Sequence, residues 1–210
     1  MTKLLIAGAT GLVGRQVLLR ALADERIAQV VAPTRRPLAP HARLHNPVID
    51  FSAESLQADW WAVDGVVCTL GTTRAKAGSA AAFRAIDLDL QLEVARRARA
   101  HGAGCFALTF ATGADPRSRF LYMRTKGELE AAVAAMGWPS LTIVRPGFIG
   151  GDRDESRPAE RLLGPLLQAL GPVLPRGWRI SPAPAIARVL LEAAIQAPAG
   201  RRVVQAAQLA

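Results

Sequence analysis

Three glycines at three-residue spacing follow directly on the first apolar run of the chain. Residues 3 to 7 read KLLIA, and the next seven, GATGLVG, place glycine at positions 8, 11 and 14. The apolar run predicts a short buried strand, and from Leu12 to Ala23 apolar positions recur at helical spacing. The glycines therefore form the turn between a strand and a helix. A chain that begins in this way is strongly biased towards an alternating α/β fold.

Each glycine of this turn has a physical reason to be there. Gly8 lets the chain turn sharply, Gly11 lets backbone N–H groups approach a ligand, and Gly14 lets the helix pack closely on the sheet. The helix N-terminus adds unpaired N–H groups and a partial positive charge. The pattern predicts a site for the pyrophosphate of a dinucleotide. The expected binding residues of the turn are Gly8, Thr10, Gly11, Leu12 and Val13.

The rest of the chain alternates between short apolar runs and longer helical stretches. Runs that predict strands lie at residues 3–7, 28–32, 47–50, 64–70, 104–109 and 141–145, with a last apolar pair at Val203 and Val204. Helical periodicity is clearest at Leu12 to Ala23, Ala80 to Ala100 and Tyr122 to Met136, and further helices are expected at about 158–170 and 184–197. This alternation predicts a doubly wound parallel sheet of the Rossmann type, with helices on both faces.

The length and composition predict one domain. At 210 residues, half of them hydrophobic, the chain can bury one large core, so residues 1–210 are expected to form a single domain. The stretch 146–183 is rich in proline and charge, and we expect it to fold over the strand ends and shape the substrate pocket. No signal peptide or membrane span is recognisable, so the sequence predicts a soluble cytoplasmic protein without membrane contact.

The net charge and the two cysteines say less about the function than the glycine turn does. The net charge of +9 is mostly arginine spread through predicted helices, which favours compositional bias over a basic binding face. No basic run is interleaved with aromatic residues, so nucleic-acid binding ranks lowest among the functions considered. Cys68 and Cys105 lie within apolar runs and are interpreted as buried strand residues, neither a disulfide framework nor a metal site.

The end of the second predicted strand bears on the choice of dinucleotide. NAD enzymes usually place an acidic residue there for the adenosine ribose, whereas this chain reads VVAPTRRP. Arg35 and Arg36 are suited to a 2'-phosphate, which favours NADP, as NADPH, over NAD. Asp50, at the end of the third predicted strand, is expected to reach the adenine amino group.

The only tyrosine of the chain, Tyr122, is followed four residues later by one of three lysines, Lys126. On a helix this spacing puts both side chains on one face. An ammonium close to a phenol favours its ionised form, so the pair is suited to proton transfer near neutral pH. We expect Tyr122 to donate a proton to a carbonyl oxygen while Lys126 tunes it and holds the nicotinamide ribose.

Together with the glycine turn, four further segments resemble a known family. CTLGTTRAKAG (68–78), GAD (113–115), FLYMRTKGELE (120–130) and VRPGFIGGDRDESRP (144–158) look, in order and spacing, like the atypical short-chain dehydrogenase/reductases. The likeness covers nearly the whole chain and is nearest to the branch of Tat-interactive-protein-like oxidoreductases. It implies that Leu70, Gly71 and Thr72 line the nicotinamide side, and that Pro146, Gly147 and Phe148 form the loop covering the nicotinamide ring.

The chain departs from this family at the serine that orients the substrate carbonyl. Members commonly carry a Ser-Ser pair at the end of the fifth strand, where this chain has Phe110 and Ala111. Thr109 and Thr112 are the nearest hydroxyls. Because Thr112 lies nearer the carboxyl edge of the sheet, the orienting role is assigned to it.

Three functions agree with these residues. The leading hypothesis is an NADPH-dependent reductase of a small carbonyl or quinone-like substrate, with Tyr122, Lys126 and Thr112 as catalytic residues. The second is a non-catalytic NADP(H)-binding regulator that reports redox state to a protein partner, a role that the resemblance also implies. The third is a nucleotide-sugar epimerase or dehydratase. Such enzymes usually carry a larger C-terminal substrate domain, whereas only about 65 residues follow the sixth predicted strand here.

Overall fold

Seven parallel strands form the central sheet in the part of the chain that the structure describes. The computed structural model describes residues 1–51, 58–150 and 180–209. The strands are β1 (Thr2–Ala7), β2 (Ile27–Val31), β3 (Leu44–His45), β4 (Gly65–Cys68), β5 (Cys105–Thr109), β6 (Ser140–Arg145), β7 (Ile149–Gly150), β8 (Ser181–Pro182) and β9 (Gly200–Gln205). The main sheet has the order β3-β2-β1-β4-β5-β6-β9, and β7 pairs with β8 separately. All of these pairs are parallel, which confirms the predicted doubly wound Rossmann-type fold.

Helices cover both faces of the sheet. They are α1 (Leu12–Ala23), α2 (Arg74–Ala77), α3 (Ala80–Arg84), a π-helical turn (Ala85–Leu90), α4 (Gln91–Ala100), α5 (Leu121–Ala134) and α6 (Ala183–Gln196), with 3-10 turns at Asp59–Trp61 and Ala206–Gln208. The predicted helix at 158–170 lies outside the described residues, as does most of the predicted pocket-covering segment 146–183. None of the described helices has the length and apolar character needed to cross a membrane.

Side chains alternate along each strand, so each strand contributes residues to a hydrophobic cluster on either face of the sheet. In β1, Leu4 and Ile6 pack in the cluster that contains α1 and α6. Leu5 and Ala7 belong to the opposite cluster, with α4 and α5. A strand that is buried on both sides reads as a continuous apolar run, which explains why the sequence identifies most of these strands.

The third strand lies earlier than predicted. The expected strand at 47–50 is wrong: β3 comprises Leu44–His45, and Val48 makes only an isolated bridge to Thr34. Thr34 N–H still donates to the Pro47 carbonyl, but Pro47 has no N–H to return to the Ala32 carbonyl. The side-chain amide of Asn46 donates to that carbonyl instead, at 2.5 Å. The imino acid therefore interrupts the ladder that the apolar run suggested.

The predicted helix from Ala80 to Ala100 is continuous but irregular. Between α3 and α4 its middle residues, Ala85–Leu90, form a π-helical turn. A π-turn inserts an extra residue into the helix and rotates the following side chains, and such turns are frequent at functional sites. Here the turn contains the buried Asp87, which lines the cleft described below.

Candidate active site

A cleft of about 990 Å³ opens at the carboxyl ends of the central strands. This volume lies at the upper end of the range for small-molecule sites, and ligands of open α/β sheets bind at this edge. The wall combines residues from the glycine turn, the ends of β2, β4 and β5, and helix α5. Among the described residues that line it are Thr10, Gly11, Leu12, Val13, Arg35, Arg36, Leu70, Gly71, Thr72, Asp87, Thr109, Phe110, Tyr122 and Lys126.

The glycine turn is held by close backbone contacts. Gly8 has φ of +90°, and a Cβ atom there would lie 2.9 Å from the Leu70 nitrogen. A Cβ on Gly14 would lie 2.0 Å from the Gly8 carbonyl oxygen, well inside van der Waals contact. On Gly11, by contrast, the nearest atom to a Cβ would be the Gly8 oxygen at 3.4 Å. Gly8 and Gly14 are thus required by the packing of the turn, and Gly11 keeps the turn bare at the cleft.

Two arginines line the same cleft as the glycine turn. Arg35 and Arg36 follow β2, are exposed, and line the cleft. The Thr34 hydroxyl donates a hydrogen bond to the Arg36 carbonyl at 2.6 Å, which stabilises the loop that carries both arginines. Asp50, expected at the adenine, is exposed and does not belong to the described cleft lining, so that role stays a prediction.

Tyr122 and Lys126 enter the cleft from the first turns of α5. Tyr122 is 42% exposed at the mouth, and its ring packs against Phe83 with centroids 5.9 Å apart. Lys126 is buried, with only 4% of its surface exposed, and its ammonium nitrogen lies 5.7 Å from the centroid of the Phe110 ring. The helix therefore presents the phenol to incoming ligands and keeps the ammonium in the wall.

The sequence analysis missed the acidic partner of this lysine. Lys126 Nζ lies 2.7 Å from Oδ1 of Asp87, which is 1% exposed. Oδ2 of Asp87 accepts a hydrogen bond from the Thr72 N–H at 2.7 Å. Four residues on, the Gln91 amide donates to the Leu70 carbonyl at 3.1 Å. The signal was present, because Asp87 and Gln91 follow Phe83 at four-residue spacing on a helix face that is otherwise apolar.

The two threonines near the missing serine have different surroundings. The Thr112 hydroxyl donates to the Pro146 carbonyl at 3.0 Å, and Thr112 is not among the described cleft-lining residues. Thr109 lines the cleft, and its buried hydroxyl has no hydrogen-bond partner in the described part of the chain. Phe110 lines the cleft at the position of the family serine. The orienting role of Thr112 stays a prediction, and Thr109 is the one of the two threonines that belongs to the described cleft lining.

The expected covering loop lies beside the cleft. The Gly147 N–H donates to the Ser181 hydroxyl at 3.2 Å, and the Ser181 N–H donates to the Phe148 carbonyl at 2.7 Å. Phe148 is 47% exposed. Pro146, Gly147 and Phe148 are absent from the described lining, which the neighbouring Ile149 joins, so their contact with a nicotinamide ring stays a prediction.

The cysteines take no part in this chemistry. Burial raises the pKa of Cys68 to about 11, and burial also raises the pKa of Cys105. Both thiols therefore stay protonated at neutral pH, as expected for buried strand residues. Within the described ranges, no group of three or more His, Cys, Asp or Glu side chains is arranged to bind a metal ion.

Solved structures with the same fold include an enzyme in complex with NAD and a heptose epimerase. The Bordetella bronchiseptica enzyme WbmG, solved in complex with NAD, superposes with a TM-score of 0.72 at 15% identity, over 97% of this chain and 72% of that protein. The Helicobacter pylori ADP-L-glycero-D-manno-heptose-6-epimerase gives a TM-score of 0.72 at 14% identity, over 97% and 76% of the two chains. At this identity the likeness establishes the fold.

Sequence relatives are considerably more similar. Protein fmp52, mitochondrial, of Emericella nidulans is 35% identical over 190 residues, which cover 85% of this chain and 81% of the relative. Protein HTATIP2 of Rattus norvegicus is 33% identical over 201 residues, covering 93% and 82%. The fungal relatives are named as mitochondrial proteins, so the cytoplasmic location predicted from the sequence is contradicted and is withdrawn.

No protein-family model matches the chain. The family follows instead from the relatives, which are similar over most of their own length, and from the fold. The resemblance inferred from the sequence motifs is confirmed. The chain belongs to the atypical short-chain dehydrogenase/reductases, with an NAD(P)-binding Rossmann-type fold, in the branch that includes HTATIP2.

Proposed function

We propose that this protein is an NADPH-dependent oxidoreductase that reduces a small carbonyl or quinone-like substrate. The observation that carries the proposal is that one cleft brings together the glycine turn, two arginines and the Tyr122–Lys126 pair. The first two features suit a phosphorylated dinucleotide, and the third suits proton transfer. The Phe110 and Leu70 side chains give the same cleft an apolar part, which is compatible with a planar, weakly polar substrate.

The cofactor would lie along the carboxyl edge of the sheet. The bare backbone at Gly11 and the N-terminus of α1 fit a pyrophosphate, and Arg35 and Arg36 fit the 2'-phosphate that distinguishes NADP from NAD. When bound, the dihydronicotinamide supplies a hydride. Structures of the same fold solved with NAD do not distinguish the two dinucleotides for this chain, so the proposal of NADPH depends on this pair of arginines.

In this proposal the chain's own residues donate the proton and orient the substrate carbonyl. The Tyr122 hydroxyl, exposed at the mouth, donates the proton to the carbonyl oxygen as negative charge develops there. Lys126, ion-paired with Asp87 in the wall of the cleft, assists Tyr122 and holds the nicotinamide ribose in this proposal. In this proposal Thr109, which lines the cleft, orients the carbonyl in place of Thr112, which is not among the described lining residues.

The cofactor half is tested by titrating the purified protein with NADPH and NADH, followed by nicotinamide fluorescence. We expect NADPH to bind at least about tenfold more tightly, a difference of about 1.4 kcal/mol. Arg35→Ala or Arg36→Ala should remove that preference without weakening NADH binding. Arg20→Ala, on the exposed face of α1 near its C-terminal end, is the matched control. Equal affinities in the parent would overturn the NADPH assignment.

The catalytic half is tested by NADPH oxidation over a panel of carbonyl and quinone substrates. Tyr122→Phe keeps the ring contact with Phe83 and removes only the hydroxyl, so we expect its NADPH affinity to persist. Its turnover should fall by about a hundredfold or more, as expected for loss of a proton donor. Unchanged turnover in Tyr122→Phe would exclude the proposed mechanism.

A second candidate is a non-catalytic NADP(H)-binding regulator that signals to a protein partner. It is favoured by Phe110, which occupies the serine position of catalytic relatives and places an apolar ring in the cleft. Tight NADPH binding without turnover of any substrate in the panel would support it. A partner recovered with only the oxidised or only the reduced cofactor would identify the signal.

A third candidate is action on a nucleotide sugar, as an epimerase or dehydratase. Its support is the fold shared with the heptose epimerase and with WbmG. Incubation with UDP-glucose or an ADP-heptose and catalytic amounts of NAD would test it. A change in sugar configuration without net reduction of the NAD would place this candidate before the reductase.

A further inference from the structure

Asp87 connects two walls of the cleft that are distant in the chain. One carboxylate oxygen lies 2.7 Å from the Lys126 ammonium on α5, and the other accepts the Thr72 N–H, also at 2.7 Å, from the loop after β4. We infer that Asp87 is a positioning residue, which sets the place of the Lys126 ammonium relative to the loop at residues 70–72. This goes beyond the proposed function and rests on it only for the identity of the ligand.

The burial of the pair makes this role specific. The Asp87 and Lys126 side chains are 1% and 5% exposed, so each charge has little water to stabilise it. A buried charge that loses its partner costs several kcal/mol, and this cost confines the ammonium to the one place where the carboxylate lies. The flexible four-carbon stem of lysine would otherwise allow several positions.

The surroundings leave Asp87 little freedom of its own. A Cβ atom on Gly71 would lie 3.6 Å from Asp87 Oδ1, so the loop packs directly on the carboxylate. Gln91, one turn later, holds the Leu70 carbonyl of the same loop and approaches the Cys68 thiol with its side-chain oxygen at 3.7 Å. The π-helical turn, through Asp87, and the first residue of α4, Gln91, are therefore each attached to this loop. A change at Asp87 should reach the ligand through Lys126 and not through a collapse of the loop.

The test uses Asp87→Asn, which removes the charge but keeps an oxygen that can accept the Thr72 N–H. Asp89→Asn is the matched control, because Asp89 lies two residues away in the same turn and is exposed. NADPH affinity is measured by fluorescence for the parent, both asparagine variants, Lys126→Met and Asp87→Asn/Lys126→Met. Melting temperatures of the same five proteins are recorded without ligand.

We expect Asp87→Asn to weaken NADPH binding at least tenfold and Asp89→Asn to change it less than twofold. In the Lys126→Met background, Asp87→Asn should add less than a twofold loss, because a residue that acts through Lys126 has nothing left to position. Unchanged affinity in Asp87→Asn, or a full additional loss in the double variant, would overturn the inference. A role limited to general stability would give the additive result.

The melting temperatures separate this inference from the proposed function. If Asp87 and Lys126 are coupled, the double variant melts above Lys126→Met, which leaves a buried carboxylate without its partner. If the parent binds neither dinucleotide, the proposed function fails. The inference is then decided by the melting data: a double variant that melts no higher than Lys126→Met overturns it, and a higher melting point supports it. Should Lys126→Met fail to fold while the double variant folds, that result also supports the coupling.

Discussion

The glycine turn and helix α5 line one cleft, but their critical residues are held by different contacts. At the glycine turn the decisive atoms belong to neighbouring backbone: a Cβ on Gly14 would lie 2.0 Å from the Gly8 carbonyl oxygen. On α5 the decisive contact is between side chains distant in sequence, Lys126 and Asp87, 2.7 Å apart. A steric requirement of the backbone leaves a mark in local sequence. A charge pair between distant elements leaves two separate residues with no common pattern.

The two walls should therefore fail in different ways when they are altered. A side chain added in the glycine turn meets backbone that cannot move far, and its cost is independent of pH. Loss of one partner from the buried pair leaves an unpaired charge, and this cost is relieved when the second charge is removed as well. These differences can be measured by unfolding, from the largest expected effect to the smallest.

Lys126→Met should have the largest effect, a loss of about 3–5 kcal/mol in the free energy of unfolding at pH 7. The Asp87 carboxylate, 1% exposed, would be left without its ammonium. In the Asp87→Asn background that charge is absent, so Lys126→Met should cost markedly less there. Urea unfolding in both backgrounds measures this, with Lys3→Met as a lysine control. An equal loss in both backgrounds would contradict the electrostatic origin.

Gly14→Ala should cost somewhat less, about 3 kcal/mol, and equally at pH 7 and pH 5. In an unconstrained helix this change would be favourable by about 1 kcal/mol, so the cost measures the contact with the Gly8 oxygen. Gly11→Ala, whose Cβ would meet that oxygen only at 3.4 Å, is the control and should stay within about 1 kcal/mol of the parent. If both alanine variants unfold alike, close packing of the turn is not the reason for Gly14.

Thr109→Val should leave stability nearly unchanged and lower NADPH-dependent turnover about tenfold, the loss of roughly one hydrogen bond to the ligand. The Thr109 hydroxyl is buried without a partner in the described part of the chain, so its removal breaks no contact there. Thr112→Val removes a hydroxyl that donates to the Pro146 carbonyl and should change turnover less than twofold. The reverse order of effects would restore Thr112 to the role that the sequence suggested.

Arg26→Gln, far from the cleft, should have the smallest effect, a drop in Tm of less than about 3 °C. Hydrogen bonds from the exposed Arg26 guanidinium lower the pKa of Asp24 from 3.8 to about 2. The stabilisation is therefore present above about pH 4 and is lost as the pH falls through 2. Melting curves of both proteins between pH 7 and pH 2 should converge. A difference that grows on acidification would contradict this sign.

Most of the fold could be predicted from the sequence, and the failures are instructive. The bounds of α1 match the prediction, and β5 and β6 match it to within one residue, because strands buried on both faces and an amphipathic helix leave clear patterns. The third strand was misplaced because Pro47 reads as part of an apolar run but has no N–H for the ladder. The π-turn at Ala85–Leu90 interrupts a helix whose periodicity gives no sign of it.

The candidate site also has features that local sequence predicts and features that depend on contacts between distant residues. The glycine turn, the Arg35–Arg36 pair and the Tyr122–Lys126 spacing could be found in the sequence, because each depends on residues close together in one element or turn. Their convergence on one cleft and the pairing of Lys126 with Asp87 were decided only by the tertiary structure, as was the presence of Thr109, and not Thr112, in the described cleft lining. The physical reason is that local sequence determines backbone conformation and side-chain periodicity. Which distant side chains meet depends on the register and order of the strands that bring their ends to one edge of the sheet.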